Sequence, residues 1–295
     1  MPIRLMENFR AIFYAPYYAT VALGFYEREG VAVELLTSNA PGDAVPKLLS
    51  GEIDITWGGP MRVMQAHDKD RHSPLVNFCE VLSHDPFFLI GKKGAFKLTD
   101  LSGKRFASVS EVPTPWMCLQ QDLRDAGMDP AKLLRISDRA MTRNYHALQA
   151  GDIDIMQAFE PFVSMAEKDG AGEALYTAST RGPTSYTAFI ATHEGCVKYR
   201  DEFAAMTRAT AKMLAWLYAN PAEDFAKAVH PFFPDVPLDI LASSLARYRA
   251  AGLWSRETKM IPQGFARLGQ SFCSGGMLAR MPSYDDCVEP YLNGI

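Results

Sequence analysis

The side chains best suited to bind a small molecule lie in short segments that follow predicted strands. The first segment contains Asn8, Phe9, Arg10, Tyr14 and Tyr17. Aromatic rings here can wall a pocket for a planar or apolar ligand, while the amide and the guanidinium offer hydrogen bonds and charge. The alternative is that the tyrosines only cover the core and the arginine faces solvent.

A second segment, Trp57 to Arg62, combines an aromatic ring with glycine, proline and arginine. Gly58 and Gly59 let the backbone approach a ligand closely, because they have no side chain. A helix that begins near Pro60 directs free amide groups towards an anion, and Arg62 in its first turn can hold a carboxylate or sulfonate through two hydrogen bonds. The alternative is a tight turn with a packed Trp57 and an exposed Arg62.

The third segment, Ser83-His84-Asp85-Pro86, lies just before the point where the chain is expected to leave its first lobe. A histidine beside an aspartate has the residue types of a general base with its orienting carboxylate. Sequence neighbours rarely point at one another, however, and no nucleophile is evident. Ser83 and His84 are therefore candidate ligand contacts, and a turn with a surface histidine is the alternative.

In the middle of the chain, Ser110, Thr114 and Trp116 stand where a predicted strand gives way to a predicted helix. Hydroxyl and amide groups at the start of a helix suit an anion, and Trp116 can close against the aromatic rings of the first segment. N-capping by Thr114 is the structural alternative, and both roles are compatible.

A last group of candidates contains Phe159, Glu160 and Tyr186. A carboxylate at position 160 would select a cationic or amidine-like group on the ligand. The alternative is that Glu160 caps a helix or forms a salt bridge locally.

A motif that occurs twice positions these segments. Residues 48–55 read Leu-Leu-Ser-Gly-Glu-Ile-Asp-Ile, residues 148–155 read Leu-Gln-Ala-Gly-Asp-Ile-Asp-Ile, and a proline follows each copy, Pro60 or Pro161. Leucine at a helix end, glycine as its left-handed stop and an Ile-x-Ile strand predict a helix, a turn and a buried strand. Open α/β sheets bind ligands at the carboxyl ends of their parallel strands. The two copies therefore predict two lobes that face each other across a ligand cleft.

The remaining pattern predicts an α/β fold with two chain crossings between the lobes. At 295 residues the chain exceeds the roughly 250 at which single cores stop growing, so a divided core is expected. We expect residues 1–89 and 188–295 to form the first lobe, padded by a helical C-terminal part, and residues 90–187 to form the second. The predicted strands are residues 3–9, 31–36, 75–82, 87–90, 105–110, 133–136, 153–156 and 187–192. The predicted helices are residues 16–28, 43–49, 61–68, 114–126, 144–150 and 201–218.

Composition argues against several classes of partner. A formal net charge of −4 without a basic run argues against nucleic acid. No segment approaches about 18 uninterrupted apolar residues, so no membrane insertion is expected. Five cysteines without CxxC spacing, and histidines without i,i+4 partners, argue against a metal site, and no cofactor is expected. A disulfide such as Cys273–Cys287 stays open.

The segment from Tyr14 to Leu35 resembles the opening of the SsuA/THI5-like (NMT1-like) periplasmic binding proteins. The family pattern is an aromatic-x-Pro loop, a helix, Gly-aromatic-x-x-x-Gly and a strand. Later landmarks follow in the same order, at residues 51–54, 101–105, 151–154, 160–161 and 203–216. The resemblance covers roughly residues 3 to 220. It implies the type II periplasmic-binding-protein fold, with two hinge crossings and a ligand cleft.

The resemblance implies a solute-binding protein that captures a small organic ligand, namely an organic acid, a sulfonate or a heteroaromatic molecule. It also implies an ABC permease as partner. A minority of the family are enzymes, but the yeast-type pyrimidine synthase has Lys and His where this chain has Gly58 and Arg62. The related desulfinase has a nucleophilic cysteine in the loop where this chain has Tyr14. The chemistry of neither enzyme is therefore expected here.

Two other functions stay open. One is a cytoplasmic enzyme on the same fold, a decarboxylase or a cofactor-biosynthetic lyase acting on an aromatic acid, and the other is a cytosolic ligand sensor. Residues Met1 to Asn8 leave no room for a secretory signal. We therefore expect a cytoplasmic location, or a periplasmic one if a signal peptide was removed.

Overall fold

A computed structural model describes residues 1–295 of the chain and contains two five-stranded sheets. The strands of the first sheet are β1 (Ile3–Met6), β2 (Val33–Leu36), β3 (Ile55–Gly58), β4 (Leu75–Leu82) and β10 (Thr187–Thr192). The strands of the second sheet are β5 (Phe88–Gly91), β6 (Phe106–Ala107), β7 (Arg135–Ile136), β8 (Ile155–Ala158) and β9 (Glu173–Thr177).

The two sheets have the same topology. The first has the order β2-β1-β3-β10-β4 and the second the order β7-β6-β8-β5-β9. In each sheet four strands run in the same direction, and the fourth in the order, β10 or β5, runs antiparallel to both its neighbours. The predicted α/β class is confirmed, and β3 and β8, the strands of the repeated motif, occupy equivalent central positions.

Helices cover both sheets. Those that precede the first crossing are α1 (Ala15–Ala22), α2 (Phe25–Arg28), α3 (Ala44–Leu49) and α4 (Met61–Lys69). The second sheet carries α5 (Thr114–Asp125), α6 (Met141–Ala150) and α7 (Phe162–Asp169). The C-terminal helices are α8 (His193–Lys198), α9 (Arg200–Ala219), α10 (Ala222–Val229), α11 (Leu238–Ala250), α12 (Pro262–Ser274) and α13 (Tyr284–Cys287). None of these helices combines the length and the apolar character needed to cross a membrane.

Each copy of the repeated motif folds in the same way. Gly51 and Gly151 adopt left-handed φ angles of 75° and 76° just after α3 and α6, as the sequence predicts. The strands that follow are buried throughout. After each strand the chain enters a loop whose proline, Pro60 or Pro161, immediately precedes α4 or α7.

The chain crosses between the sheets twice, after β4 and before β10. Asp85 lies on the first crossing, and Arg181 lies just before the second. The guanidinium of Arg181 forms buried ion pairs with Asp85 and with Asp122 of α5. The two crossings are therefore tied to each other and to the second sheet.

The C-terminal helices contact both halves of the molecule, which differs from the prediction that they pad only the first lobe. Helix α11 packs against α7, and α12 packs against both α4 and α5. Arg267 of α12 pairs with Asp122 and Asp125. The buried apolar side chains accordingly form one continuous cluster, although a divided core was predicted. The proposed division into lobes 1–89 with 188–295, and 90–187, stays a prediction.

Several element boundaries differ from those predicted. The helix expected over residues 16–28 is interrupted at Gly24, whose φ of 68° is left-handed and ends the first segment. Strand β1 ends at Met6, because the chain turns at Glu7 towards the cleft. Strand β6 has only two residues, where six were predicted. All five cysteines are free, so the Cys273–Cys287 bridge is not formed.

Candidate functional site

A cleft between the two sheets brings together the loops after β1 and β3 and the start of α5. Its lining is Asn8, Phe9, Phe13, Tyr14, Gly59, Met61, Arg62, Phe87, Val112, Pro113, Thr114 and Tyr186. Seven of these twelve residues are hydrophobic. The cleft lies where the carboxyl ends of the parallel strands β1 and β3 meet the second sheet, which is the usual ligand position in α/β folds.

The cleft is nearly filled in this conformation. Its cavity measures about 40 Å³, and a single water needs roughly 10–15 Å³ on the same scale. An organic ligand therefore fits only when the two halves separate or the lining side chains move.

A larger groove, of about 770 Å³, lies at the opposite edge of the second sheet. Exposed lysines such as Lys92 and Lys104 edge it, and all of its walls come from the second sheet and its connections. It faces no carboxyl end of a parallel strand. We therefore place the candidate site in the cleft, despite its smaller volume.

Asn8 and Tyr14 form a hydrogen-bonded unit in the cleft wall. The amide nitrogen of Asn8 donates to the hydroxyl of Tyr14 at 3.1 Å, and its carbonyl oxygen accepts from the backbone N–H of Gly42 at 3.3 Å. Burial raises the pKa of Tyr14 to about 12, so the phenol is protonated at neutral pH. Asn8 thus uses both ends of its amide within the protein.

Arg62 is the only charged residue that lines the cleft. It stands in the first turn of α4, as predicted, and is partly buried. Its guanidinium has no ion pair and no side-chain hydrogen bond with the rest of the protein. Burial lowers the pKa of Arg62, and nearby Tyr14 acts in the opposite direction.

The glycines beside Arg62 make room for its side chain. A Cβ at Gly42 would lie 2.9 Å from Nη1 of Arg62, and Gly42 has a left-handed φ of 99°. A Cβ at Gly58 would meet Ile190 at 3.4 Å, while Gly59 lines the cleft itself. Gly42 was not among the predicted site residues.

Trp57 and Tyr17 lie in the core and do not line the cleft, although both were predicted as ligand contacts. Both are 0% exposed, and their rings stack at 4.6 Å with an interplanar angle of 4°. Trp57 ends β3 on the face that packs against α1, so the ring points away from the ligand position. Gly58 is also buried and outside the cleft lining.

A cluster of three phenylalanines closes the floor between the two halves. Phe13 lies 5.2 Å from Phe159 and 6.3 Å from Phe87, and Phe87 lies 5.4 Å from Phe159, measured between ring centroids. Phe159 was predicted, whereas Phe13 and Phe87 were missed. Phe13 lies one residue before Tyr14 in the first candidate segment, so its position in that loop was the available signal.

Three other lining residues were missed, namely Met61, Val112 and Pro113. Each is a sequence neighbour of a predicted contact, Arg62 or Thr114. An apolar side chain beside a polar candidate carries no distinguishing pattern of its own, because core packing produces the same one.

At the start of α5, Thr114 lines the cleft and its hydroxyl has no partner, whereas the other two predicted residues lie elsewhere. The hydroxyl of Ser110 donates to the carbonyl of Arg139 at 2.8 Å. Trp116 packs against Phe106, and the guanidinium of Arg135 lies 4.2 Å above its ring. The cleft therefore receives the first residue of the helix and not its tryptophan.

Glu160 is fully buried and paired within the protein, so its carboxylate does not reach the cleft. It accepts from Nε of Arg247 at 2.7 Å, and from the backbone N–H and the hydroxyl of Ser164, each at 2.9 Å. Burial raises the pKa of Glu160, while Ser164 and Arg247 oppose that shift. Glu160 therefore bonds locally to Ser164 near the start of α7, in line with the alternative of a capping role, but its salt bridge is with a residue 87 positions away.

The other predicted residues divide between the cleft and its surroundings. Tyr186 lines the cleft, and its buried hydroxyl has no hydrogen-bond partner. Ser83 and His84 bond to each other at 3.1 Å outside the lining, and burial lowers the pKa of His84. Arg10 pairs with Glu7 at 2.9 Å and donates to the carbonyl of Phe232, so it also lies outside.

The lining combines groups that can bind an anion with apolar side chains. It offers one unpaired cation, three hydroxyl groups and a majority of apolar side chains. None of the twelve lining residues is Asp, Glu, His or Cys. No group of three or more such residues elsewhere in the protein could hold a metal ion.

Comparison with known proteins agrees with this architecture. The family model described as "NMT1/THI5 like" matches residues 12–224. YtlA of Bacillus subtilis (strain 168), which carries the name of a binding protein, is 26% identical over 292 residues, covering 97% of this chain and 87% of YtlA. The 4-amino-5-hydroxymethyl-2-methylpyrimidine phosphate synthase of Schizosaccharomyces pombe is 31% identical over 114 residues, or 37% of this chain and 32% of that enzyme.

Among solved structures, the periplasmic aliphatic sulphonate binding protein SsuA of Escherichia coli superposes with a TM-score of 0.79. The match covers 99% of both chains at 15% sequence identity. Likeness at this level of identity shows the fold. The predicted two-lobe periplasmic-binding-protein fold is therefore confirmed.

Proposed function

The chain belongs to the NMT1/THI5-like family, and from this premise we propose that it is a solute-binding protein for small organic anions with a planar or apolar body. The observation that carries the proposal is the unpaired guanidinium of Arg62 in the cleft between the two sheets. The ligand would supply the missing negative charge.

An unpaired charge is unfavourable where it is partly removed from water. Removing an ion from water costs several kcal/mol unless a partner of opposite charge compensates it. Arg181 and Arg247, which are also partly buried, are paired with carboxylates. Arg62 has no such partner, and a bound carboxylate or sulfonate can accept two hydrogen bonds from its planar fork.

The apolar part of the lining supports a ligand with a planar or apolar body. Phe9, Phe13 and Phe87 present rings to the cleft, and Val112 with Pro113 faces them from the second sheet. Such surfaces favour the burial of an aromatic or aliphatic group. A small, fully hydrated inorganic anion would leave these surfaces without a partner.

The mechanism that fits this geometry is closure of two lobes around the ligand. Arg62 and Tyr14 come from the first sheet side and Thr114 from the second, so a ligand between them binds the closed form better than the open form. The free amide groups at the start of α5 add positive potential from the opposite wall. In the transport function that the family implies, the closed form is the one that an ABC permease would recognise.

The enzyme and the sensor remain alternative predictions, and no particular contact in the structure favours either. Catalytic Tyr or Thr hydroxyls are usually activated by a neighbouring base, and the cleft lining contains Tyr and Thr but no His, Asp, Glu, Lys or Cys. The match to the pyrimidine phosphate synthase covers only 37% of this chain.

Replacing Arg62 tests the proposal. Calorimetric titration with benzoate, benzenesulfonate and the neutral analogue benzamide should show that the wild-type protein prefers the anions. Arg62→Gln should weaken anion binding on the order of 100-fold, because it removes one partner of a desolvated charge pair. Lys69→Gln is the matched control, since Lys69 is an exposed cation on the same helix.

Two results would contradict the proposal. One is equal affinity for benzamide and the two anions, and the other is anion binding that survives Arg62→Gln unchanged. Native mass spectrometry of the purified protein adds an independent check, since a copurified ligand should be anionic and should be lost in the Arg62→Gln variant.

A further inference from the structure

The cleft contains a hydrogen-bond relay whose direction is fixed by the backbone. Asn8 stands at its centre, buried, with its amide nitrogen 3.1 Å from the Tyr14 hydroxyl and its carbonyl oxygen 3.3 Å from the backbone nitrogen of Gly42. A backbone N–H is always a donor. The side of Asn8 that faces Gly42 must therefore be the carbonyl, and the NH₂ group must face Tyr14.

This orientation decides what the Tyr14 hydroxyl can do. Its oxygen accepts a hydrogen bond from Asn8, so its own proton is directed elsewhere. Asn8 is the hydrogen-bond partner of this hydroxyl within the protein, and Tyr14 lines the cleft, so the cleft is open to the remaining proton. Asn8, Arg62 and Thr187 all lower the pKa of Tyr14, against the larger effect of burial.

Arg62 and Tyr14 line the same cleft. Gly42 lies close to both groups: its N–H donates to Asn8, the partner of Tyr14, and a Cβ at Gly42 would lie only 2.9 Å from Nη1 of Arg62. A cation and an O–H donor that line the same cleft match the two oxygens of a carboxylate or two oxygens of a sulfonate.

We propose that Asn8 is a positioning residue, which does not contact the ligand itself but orients the Tyr14 hydroxyl as a hydrogen-bond donor to the anionic group held by Arg62. This inference rests on the proposed function, since it requires an anion in the cleft. It revises the sequence prediction that Asn8 offers its own hydrogen bonds to the ligand.

Two substitutions at position 8 separate this role from a simple packing role. In Asn8→Asp one carboxylate oxygen can still accept from Gly42, but the other accepts the Tyr14 proton and turns it away from the cleft. In Asn8→Ala the phenol loses a partner but keeps its proton free to donate. Benzenesulfonate or benzoate, whichever the wild-type protein binds more tightly, is the probe.

The proposal predicts that Asn8→Asp weakens binding about 10- to 100-fold and Asn8→Ala only about 2- to 10-fold, from the worth of hydrogen bonds to charged and to neutral groups. A packing role predicts the opposite order, because aspartate has the shape of asparagine. The added charge of Asn8→Asp is controlled by repeating both variants in a Tyr14→Phe background, where the difference between them should shrink.

The outcomes are distinguishable. If the wild-type protein binds neither anion, the proposed function fails and this inference fails with it. If the wild-type protein binds an anion through Arg62 but Asn8→Ala is weaker than Asn8→Asp, or if Asn8→Ala and Tyr14→Phe are fully additive, only the inference is overturned. Should Asn8→Asp not fold, the Asn8→Ala and Tyr14→Phe cycle alone decides, since coupling between them is required.

Discussion

The loop after β3 lines the cleft, whereas the equivalent loop after β8 forms an ion pair with the C-terminal helix α11. After the first copy of the motif come Gly59 and Arg62, whose guanidinium is unpaired. After the second copy comes Glu160, which is 0% exposed and paired with Arg247 of α11. The same strand-building motif therefore leads into a cleft wall in one half and into an internal ion pair in the other.

The same contrast is visible among buried acids. Glu160 accepts three hydrogen bonds, while Glu80 of β4 is 1% exposed and has one side-chain oxygen buried without a partner. Burial raises the pKa of Glu80 to about 8, and Ser185 nearby opposes the shift. Glu160 in the second half is thus paired with Arg247, whereas burial favours the protonated, neutral form of Glu80 in the first half.

Just before β3 and β8, the two copies of the repeated motif form the same kind of ion pair but differ in how deeply its aspartate is buried. Arg4 pairs with Asp54 at 2.7 Å and Arg105 pairs with Asp154 at 2.8 Å. Side-chain exposure is 6% for Asp54 and 35% for Asp154. Tyr199 lines a groove together with Arg4 and Asp54, whereas Arg105 and Asp154 line the larger groove of the second sheet.

The greatest loss of stability should follow from removing the cation that pairs with Glu160 in the second half. Arg247→Met leaves the Glu160 carboxylate buried without its cation, and the free energy of unfolding should fall by about 3–5 kcal/mol. Urea titration followed by circular dichroism measures this loss.

The double variant Glu160→Gln, Arg247→Met is the control, because it removes both charges together. It should recover a substantial part of the lost stability. If the single variant is as stable as the wild-type protein, Glu160 is not held by Arg247 in solution and the contrast between the two loops disappears.

Glu80→Gln tests the neutral acid of the first half. The pKa of Glu80 is higher in the folded chain than its ordinary value of 4.5, so the folded chain binds the proton more tightly. Its contribution to stability is present in full below pH 4.5 and is lost as the pH rises to about 8. The stability of Glu80→Gln relative to wild type should grow on the order of 3 kcal/mol between about pH 5 and about pH 8.

Urea titrations of both proteins across this pH range give the difference. Glu223→Gln, an exposed glutamate without an ion pair on α10, is the matched control and should follow the wild-type curve. Parallel curves for Glu80→Gln and wild type would show that Glu80 titrates as an ordinary carboxyl group.

The smallest expected effect compares the two arginines of the repeated motif. Arg4→Met should cost about 1–3 kcal/mol, because Asp54 is left buried, whereas Arg105→Met should cost about 0–1 kcal/mol, because water reaches Asp154. Each variant serves as the control of the other in thermal and urea unfolding. Equal losses would mean that the difference in burial does not matter.

Much of the fold was predictable because it depends on local patterns. The helix stops at Gly51 and Gly151 and the buried strands β3 and β8 follow from residue types at fixed spacing. For the loops, the sequence predicted the position along the chain but not the direction of each side chain. The segment around Asn8 to Tyr14 does line the cleft, yet Trp57 packs in the core because β3 presents it to α1.

The role of the acid after the second motif could not be predicted from its neighbours in the chain. Glu160 is paired with a residue 87 positions away, on a helix that the sequence assigned to the first lobe alone. Likewise Phe13 and Phe87 enter the cleft floor only because the first crossing brings them to Phe159.

The α/β class, the duplicated helix-turn-strand unit and the position of candidate loops at strand ends could be predicted from the sequence, since hydrophobic period and glycine conformation act over a few residues. Which loop side chains face the cleft, and which are paired inside the protein, depends on contacts between distant parts of the chain. The physical reason is the cost of removing a charge from water. No carboxylate of the protein reaches Arg62, so it stays unpaired, whereas α11 brings the guanidinium of Arg247 to the carboxylate of Glu160.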